Sequence, residues 1–497
     1  MDETQLISVS LDSSAVIAFI AYLILIIGIG IYASRFSSRG ISEYFIGGRK
    51  MNRFVVALSA VVSGRSAWLL LGVTGMAYAQ GPSAVWAVLG YIIVEIFLFL
   101  YYGRRLRNFT ENRNCITIPD FFAERFSDHD GKLRITIVVI FLVFMIGYIS
   151  SQFVAGGKAF ASGFGLGTDT GILLTAGIVL VYTIIGGFLA VSLTDMFQAI
   201  FMMLALVILP AVAIMNFGGL QELLNSLTLM DIMYVDPFAV SVGAAIGFLG
   251  IGLGSPGNPH ILARYMSIDD PKQFKYVAVV GTTWNVLMAW GAVFVGLAGR
   301  AYFPDVEMLP GADTENLFPM LAQLHLHPIL FGVVLASIFA AIMSTADSQL
   351  LVAASSVVRD IYEKIFKRGV EVSQNKLVLY SRVVVFFIVI LSLIFGFYAE
   401  DLVFWLVLFA WAGLGASIGP TSILALYWKG TTRAGIFAGL ITGTLVTIGW
   451  YLIPELKGVM YELIPGFFAS LLATWLVSLY TEPAPDSKKA FADMFDE

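Results

Sequence analysis

Long apolar runs alternate with short polar segments along this chain. A helical membrane crossing needs about 20 mostly apolar residues. Thirteen stretches meet that length: 12–34, 52–80, 83–103, 132–162, 170–188, 190–216, 238–264, 272–302, 326–362, 376–398, 402–428, 432–453 and 458–481. They lack the alternation of barrel strands, and lipid demands that every backbone group be satisfied internally, so helices are predicted. Several are longer than one straight crossing, which predicts tilted, bent or protruding helices. The expected fold is an all-α integral membrane protein of about thirteen transmembrane helices, forming one transporter domain over 1–497.

Charge between the runs supplies an orientation. The odd-numbered loops collect the basic residues: Arg35, Arg39, Arg49, Lys50 and Arg53, then Arg104, Arg105, Arg107, Arg113, Arg125, Lys132 and Arg134. Arg264, Lys272 and Lys275, then Arg359, Lys364, Lys367, Arg368 and Lys376, then Lys429 and Arg433 continue the series. The even loops lean acidic, with Asp305, Glu307, Asp313 and Glu315 in one and Glu400 and Asp401 in another. The loop near Gly186 is short and uncharged. The positive-inside rule then puts the N-terminus outside and the 482–497 tail in the cytoplasm of a cell (inner) membrane. Residues 1–12 carry acids and no basic n-region, so no cleavable signal peptide is expected.

Two of the runs are interrupted. The second reads Ala60-Val61-Val62-Ser63-Gly64-Arg65-Ser66-Ala67-Trp68. The seventh holds four glycines and two prolines within 250–259, which no regular helix accommodates. Backbone freed at such breaks must be buried in protein or line a cavity. The breaks lie five spans apart, so the second set of five begins in the opposite orientation. That is the mark of an inverted-repeat transporter, with repeats over 52–216 and 238–428 and with substrate and ion held near the midplane. Gly72, Gly75 and Gly90 read instead as close-packing glycines.

Polar residues inside the apolar runs are few and therefore informative. Ser344, Asp347 and Ser348 fall at i, i+3 and i+4 on one face of the ninth span. Hydroxyls, a carboxylate and broken-helix carbonyls are hard oxygen ligands suited to alkali cations. Arg65, at a similar depth, is the expected ion-pair partner of Asp347; in the alternative, Arg65 faces the pocket and grips a substrate carboxylate while Asp347 binds sodium. Asp195 is the other buried acid, and Glu95 is read equally as solvated or structural. His325 and His327, beside Pro328, read as membrane-edge histidines.

Composition narrows the function class. The chain is 58% hydrophobic and 13% charged with mean hydropathy +0.86, against about 25% charged residues in soluble domains, which excludes a soluble multidomain enzyme. A net charge of −5 and a pI near 5.5 give no basis for nucleic-acid binding. A single cysteine, Cys115, rules out a disulfide framework and reads as an inert loop thiol. Phosphate-cradling glycine loops, nucleophile elbows and zinc motifs are missing, so neither catalysis nor ATP-driven pumping is expected, and no cofactor or obligate protein partner.

These segments together resemble the sodium:solute symporter family, and within it the bacterial sodium/proline symporters. The likeness runs from about 40 to 480 through Tyr44-Phe45-Ile46-Gly47-Gly48-Arg49, Ala57-Leu58-Ser59-Ala60 and Ile118-Pro119-Asp120-Phe121-Phe122. It continues through Gly186–Asp195, Pro259–Arg264, Met343-Ser344-Thr345, Gln349-Leu350-Leu351 and Trp411-Ala412-Gly413. The resemblance implies a five-plus-five inverted-repeat bundle working by alternating access, importing a small solute such as L-proline or a related amino acid with Na+. It implies a sodium site from backbone oxygens of Val62, Arg65 and Ala341 and the hydroxyls of Ser344 and Thr345. A second cation site in some members corresponds to Asp195, Asp347 and Ser348. Substrate-binding positions correspond to Ser66, Trp68, Tyr148, Ile251, Ser255 and Pro259. The chain departs from the proline symporters at Gly64, where they carry an aspartate, at Arg65, where theirs is uncharged, and at Ile251 and Ser255, where they carry tryptophan and tyrosine.

Two other functions compete. A proton-coupled or sodium-independent carrier of the same fold would use Asp347 with Arg65. A transporter-like sensor would continue into a long soluble region, whereas the chain stops about 16 residues past the last span.

Overall fold

A computed structural model describes residues 13–37, 40–398 and 402–495. Residues 1–12, Arg39, Glu400 and Asp401, used in the charge pattern above, lie outside the described residues. Apart from one isolated bridge between Met51 and Ile268, every regular element among the described residues is helical. In chain order these are α1 (Ser13–Ser37), α2 (Ile41–Ile46), α3 (Arg53–Ser63), α4 (Thr74–Gln80), α5 (Val85–Phe97), α6 (Gly103–Asn112) and α7 (Ile118–Arg125). There follow α8 (Lys132–Phe164), α9 (Thr168–Asn216), α10 (Leu220–Met230), α11 (Val242–Leu249), α12 (Pro259–Ser267), α13 (Phe274–Tyr302) and α14 (Leu317–His325). The remainder are α15 (Pro328–Ser355), α16 (Gln374–Phe397), α17 (Val403–Tyr427), α18 (Arg433–Leu452), α19 (Pro454–Lys457), α20 (Leu463–Leu479) and α21 (Pro485–Ala490).

Wide π-type turns extend three of these. Trp68–Val73 leads into α4, Leu98–Tyr102 joins α5 to α6, and Ser356–Phe366 prolongs α15. The third apolar run therefore continues as helix to Asn112 rather than ending near 103. Among the described residues, nine helical stretches are long and apolar enough to cross a membrane, and Arg53–Ser63, Val242–Gly257 and Leu463–Leu479 are shorter apolar helices. One of the nine, α9, bends at Gly187, whose φ of 64° a side chain would resist. This is the short uncharged connection expected near Gly186. Helices α7, α10 and α14 are additional to the spans read from hydropathy.

Burial separates centre from rim. In the most apolar windows of the stretches containing α15 and α17, 83% of residues are buried, against 28% in α1 and 33% in α18. Ile17, Phe387, Leu445 and Phe468 stand exposed on α1, α16, α18 and α20, as expected of surfaces facing lipid.

Glycine makes the central approach possible. A Cβ on Gly90 of α5 would lie 2.1 Å from the Leu249 carbonyl oxygen, and one on Gly252 would lie 2.1 Å from that of Gly90. So Gly90 is a packing glycine as expected, and a glycine of the second break serves packing as well as bending.

At the end carrying the basic loops, Thr117 caps α7 by accepting from the Asp120 amide, and it donates to Asp360 at 3.0 Å. Asp120 accepts from Arg134 at 2.5 Å and from Arg359 at 3.1 Å, and Arg134 also reaches Asp360. Burial pushes the Asp120 carboxyl up, but the two guanidiniums outweigh it and hold the group below the usual carboxylate range. Its stabilising contribution is thus present at neutral pH and lost as acid protonates it. Cys115 is buried, and burial raises its thiol pKa well above the ordinary value.

Candidate functional site

The first break is a two-residue turn. Helix α3 ends at Ser63, the Gly64 and Arg65 amides fold back onto the Val61 and Val62 carbonyls at 3.1 Å, and Ser66 takes φ +48°. A left-handed serine is costly, so the surroundings must hold it there. They do: the Ser66 hydroxyl accepts from the Trp68 amide at 3.1 Å and from the Tyr148 hydroxyl at 3.5 Å.

Helix α15 crosses α3 at this turn. Ser344 Oγ donates to the Ala341 carbonyl at 3.1 Å and lies 3.5 Å from the Val62 carbonyl oxygen. Thr345 Oγ1 donates to the Ser63 carbonyl at 3.0 Å. Four of the five expected cation-ligating residues, Val62, Ala341, Ser344 and Thr345, therefore meet here, all buried. The fifth, the Arg65 carbonyl, accepts from the Leu69 amide at 3.1 Å. Such a nest of uncharged hard oxygens at a helix break suits a desolvated alkali cation.

One turn along α15 lies a second, charged cluster. Asp195 of α9 accepts at Oδ2 from Ser59 at 2.5 Å, Ser63 at 3.3 Å and Arg264 Nη2 at 3.1 Å. Arg264 of α12 also donates to Ser348 and to the Ser59 hydroxyl, the latter at 3.1 Å. Ser348 joins Asp347 Oδ1 at 3.1 Å. Asp195, Asp347 and Ser348 thus assemble as expected. Arg264, Ser59 and Ser63 complete the cluster, and only the presence of the first two in family-like motifs hinted at them.

The expected Arg65–Asp347 pair does not form. The face of α15 bearing Ser344, Asp347 and Ser348 looks toward α3, α9 and α12, while the turn at Gly64 aims Arg65 toward α5 and α13. There Arg65 pairs with Glu95 and donates from Nε to Asn285 Oδ1 at 2.8 Å, and Asn285 donates to Glu95. Its guanidinium lies 3.7 Å from the centre of the Tyr91 ring. Glu95 is therefore structural and wholly buried, and Asn285 had no sequence signal beyond being polar in an apolar run.

The second break is a tight 3-10 helix over Gly250–Gly257 followed by extended Asn258. Its freed carbonyls are captured at Ile251 by the Trp411 indole at 2.8 Å, at Gly254 by the Asn258 amide side chain at 2.8 Å, and at Pro256 by Ser422 at 3.3 Å. Between the two breaks lies a small cavity lined by Arg65, Trp68, Tyr91, Tyr148, Ile251 and Trp411, with Gly64, Val407 and Leu408. Trp68, Tyr148 and Ile251 of the expected substrate positions face it, with Ser66 behind Tyr148. Ser255 and Pro259 are buried but do not line it.

The end carrying the acidic loop is clamped. Trp68 stacks on Phe404 at 5.9 Å, and Glu315 accepts from the amides of Val403 and Phe404 at the start of α17, at 3.1 and 2.8 Å. Lys158 of α8 binds Glu315 at 2.6 Å and Asp313 at 2.7 Å. Glu315→Ala is expected to cost about 2 kcal/mol through the lost helix cap and charge pair. It should read as a lower thermal midpoint of the purified protein, and an unchanged midpoint would refute the clamp. His327 caps α15 through Ile329, and His325 packs on Tyr302, so both serve locally.

The model of the sodium:solute symporter family matches residues 44–443. The sodium/proline symporters of Staphylococcus aureus strains JH9 and JH1 are each 39% identical over 478 residues, covering 93% of this chain and 91% of theirs. A solved Na+-coupled sialic acid symporter in a substrate-bound outward-open state shares the fold, with TM-score 0.81 at 18% identity over 96% of this chain and 99% of that one. A nucleobase-cation-symport-1 family transporter with bromovinylhydantoin bound aligns at TM-score 0.54 and 16% identity, covering 92% and 99%. The paired helix breaks, the crossing of α3 and α15 and these likenesses have one reading: the chain is a multi-pass membrane protein that belongs to the sodium:solute symporter family.

Proposed function

We propose that the chain imports a small solute, L-proline or a related amino acid, together with Na+ by alternating access. The observation that carries this reading is the meeting of Val62, Ala341, Ser344 and Thr345 oxygens at the first break, beside a narrow cavity lined largely by aromatic side chains. The names of the Staphylococcus relatives support proline. In this reading the sodium ligands are the backbone oxygens of Val62, Arg65 and Ala341 and the hydroxyls of Ser344 and Thr345, with Asp195, Asp347 and Ser348 as a second cation site. The repeats span 52–216 and 238–428 within thirteen crossings. One cation crossing ~100 mV supplies about 2.3 kcal/mol, and a tenfold sodium gradient adds about 1.4 kcal/mol, enough to accumulate a neutral solute several hundredfold.

Uptake of labelled amino acids into proteoliposomes, with and without a sodium gradient, tests the reading. Sodium-dependent L-proline uptake is expected; uptake driven equally by a proton gradient alone would replace sodium as the coupling ion. Ala at both Ser344 and Thr345 is expected to raise the apparent sodium constant at least about tenfold, the loss of two oxygen ligands outweighing any repacking. Solute affinity at saturating sodium should change less. Unchanged sodium dependence in the double variant would move the site to Asp195 and Asp347.

The reading includes an external N-terminus and a cytoplasmic tail. Glu307 and Lys488 are both exposed, and the native Cys115 is buried, so single cysteines there report cleanly. Glu307→Cys is expected to react with an impermeant thiol reagent added to whole cells and Lys488→Cys only after permeabilisation. The reverse pattern would invert the topology.

A further inference from the structure

Arg65 is the one charged residue among those lining the cavity between the breaks, and its guanidinium nitrogens lie just behind the apolar wall, against Asn285, the Gly64 carbonyl and Glu95. We propose that Arg65 recognises the carboxylate of the transported solute, and that Glu95 and Asn285 are positioning residues that hold its guanidinium at the cavity. The proposal rests on the transport reading above and deepens it: the solute is a small carboxylate with an apolar body.

A guanidinium has five N–H groups. Here Nε is on Asn285 at 2.8 Å, Nη1 on the Gly64 carbonyl at 3.3 Å, and Nη2 on Glu95. Two N–H groups remain that no acceptor takes among the described residues. Glu95 is not part of the cavity wall, so it holds Arg65 from behind. Asn285 donates to the second oxygen of Glu95 and accepts from Arg65, which fixes both partners. Tyr91 underlies the guanidinium at 3.7 Å and sets its plane. A planar, fixed fork is what two-point recognition of a carboxylate requires, and a lysine cannot reproduce it.

Arg65 and Glu95 cancel, so the amino acid's carboxylate and ammonium enter a site with no net charge beyond that of the sodium ion. A pair serving structure alone gains little, because apolar replacements of a buried ion pair are often as stable. An arginine kept inside a membrane protein at a cavity wall points to use.

The test compares matched solutes: L-proline against L-prolinamide, and other amino acids against their amides. Solute-induced thermal shift of the detergent-purified protein at saturating sodium reads binding without requiring transport. The wild type is expected to prefer the carboxylate by at least about 100-fold, the scale set by a missing polar partner in a dry site. In the Arg65→Met/Glu95→Gln double variant that preference should fall to within about tenfold, a remaining sodium-induced shift of any size serving only to show that the protein is folded. The full wild-type preference in the double variant overturns the proposal. If the double variant shows no sodium-induced shift and so has lost its fold, Arg65→Lys decides: it must lose at least about tenfold in preference, and an unchanged ratio overturns the proposal. Failure of the proline reading looks different. The wild type would show no sodium-dependent proline uptake, and the amide comparison would be read on whichever amino acid binds. Equal binding of acids and amides across the panel would defeat Arg65 recognition even with sodium-coupled uptake intact.

Discussion

Arg264→Met is expected to abolish transport and to destabilise the folded protein by about 3–5 kcal/mol, the cost of stripping one partner from a buried ion pair. Arg264 is 1% exposed and its guanidinium is shared among Asp195, Ser348, Ser59 and the His260 carbonyl. Asp347 joins the same cluster through Ser348. One guanidinium therefore faces two acids, and its removal leaves both without a cationic partner among the described residues. Asp195→Asn should be milder, because Arg264 keeps Ser348 and the cluster containing Asp347. The Arg264→Met/Asp195→Asn double variant should regain part of the lost stability. Sodium discriminates further. If the acids form a second cation site, sodium can replace the missing guanidinium, so it should raise the thermal midpoint of Arg264→Met more than that of the wild type. A wild-type midpoint for Arg264→Met would show that the cluster carries no net electrostatic stabilisation.

The two polar clusters along α15 were legible because they obey local rules. Ser344, Asp347 and Ser348 share a helix face by spacing alone, and the break at Ser63-Gly64 announces free carbonyls at the same depth. The partner of Arg65 was not legible. Hydropathy reports depth along the membrane normal, and at that level Asp347 and Glu95 were both available to Arg65. It does not report azimuth. The direction of Arg65 depends on how the turn at Gly64 and the left-handed Ser66 rotate the chain, and tertiary packing sets that. The same limit applies to charges near the ends of the runs. Arg107, Arg125, Arg134 and Arg264 were counted as basic loop residues and are buried, each satisfied by acids or carbonyls. Glu315, counted as a loop acid, is 2% exposed and caps α17. Their signs still follow the alternation of basic and acidic ends, because sign and place along the chain do not depend on what the group binds.

The Arg65–Glu95 pair should behave as a unit. Glu95→Gln leaves a guanidinium in the protein interior without a countercharge, its partners then being the new amide oxygen, Asn285, the Gly64 carbonyl and the Tyr91 ring. Arg65→Met leaves a carboxylate with only the Asn285 amide. Each single change is expected to cost about 3–5 kcal/mol, whereas the double change removes both charges and leaves a shape that side chains of similar volume can fill, at a cost of ~1–2 kcal/mol. The coupling energy from the cycle should then exceed about 2 kcal/mol, far above the few tenths found for independent sites. Asp347 supplies the control. Because Ser348 and the Asp195 cluster hold it toward α9 and α12, away from the α5 and α13 side where Arg65 sits, an Arg65→Met/Asp347→Asn cycle should give coupling below about 0.5 kcal/mol. Equal coupling in the two cycles would mean that Arg65 exchanges partners between Glu95 and Asp347 during the transport cycle. Strong coupling to Glu95 alone would confine Arg65 to the wall formed by α5 and α13 throughout it. The second result is expected, since moving Arg65 across the break would also have to undo the Asn285 bridge and the Tyr91 stack.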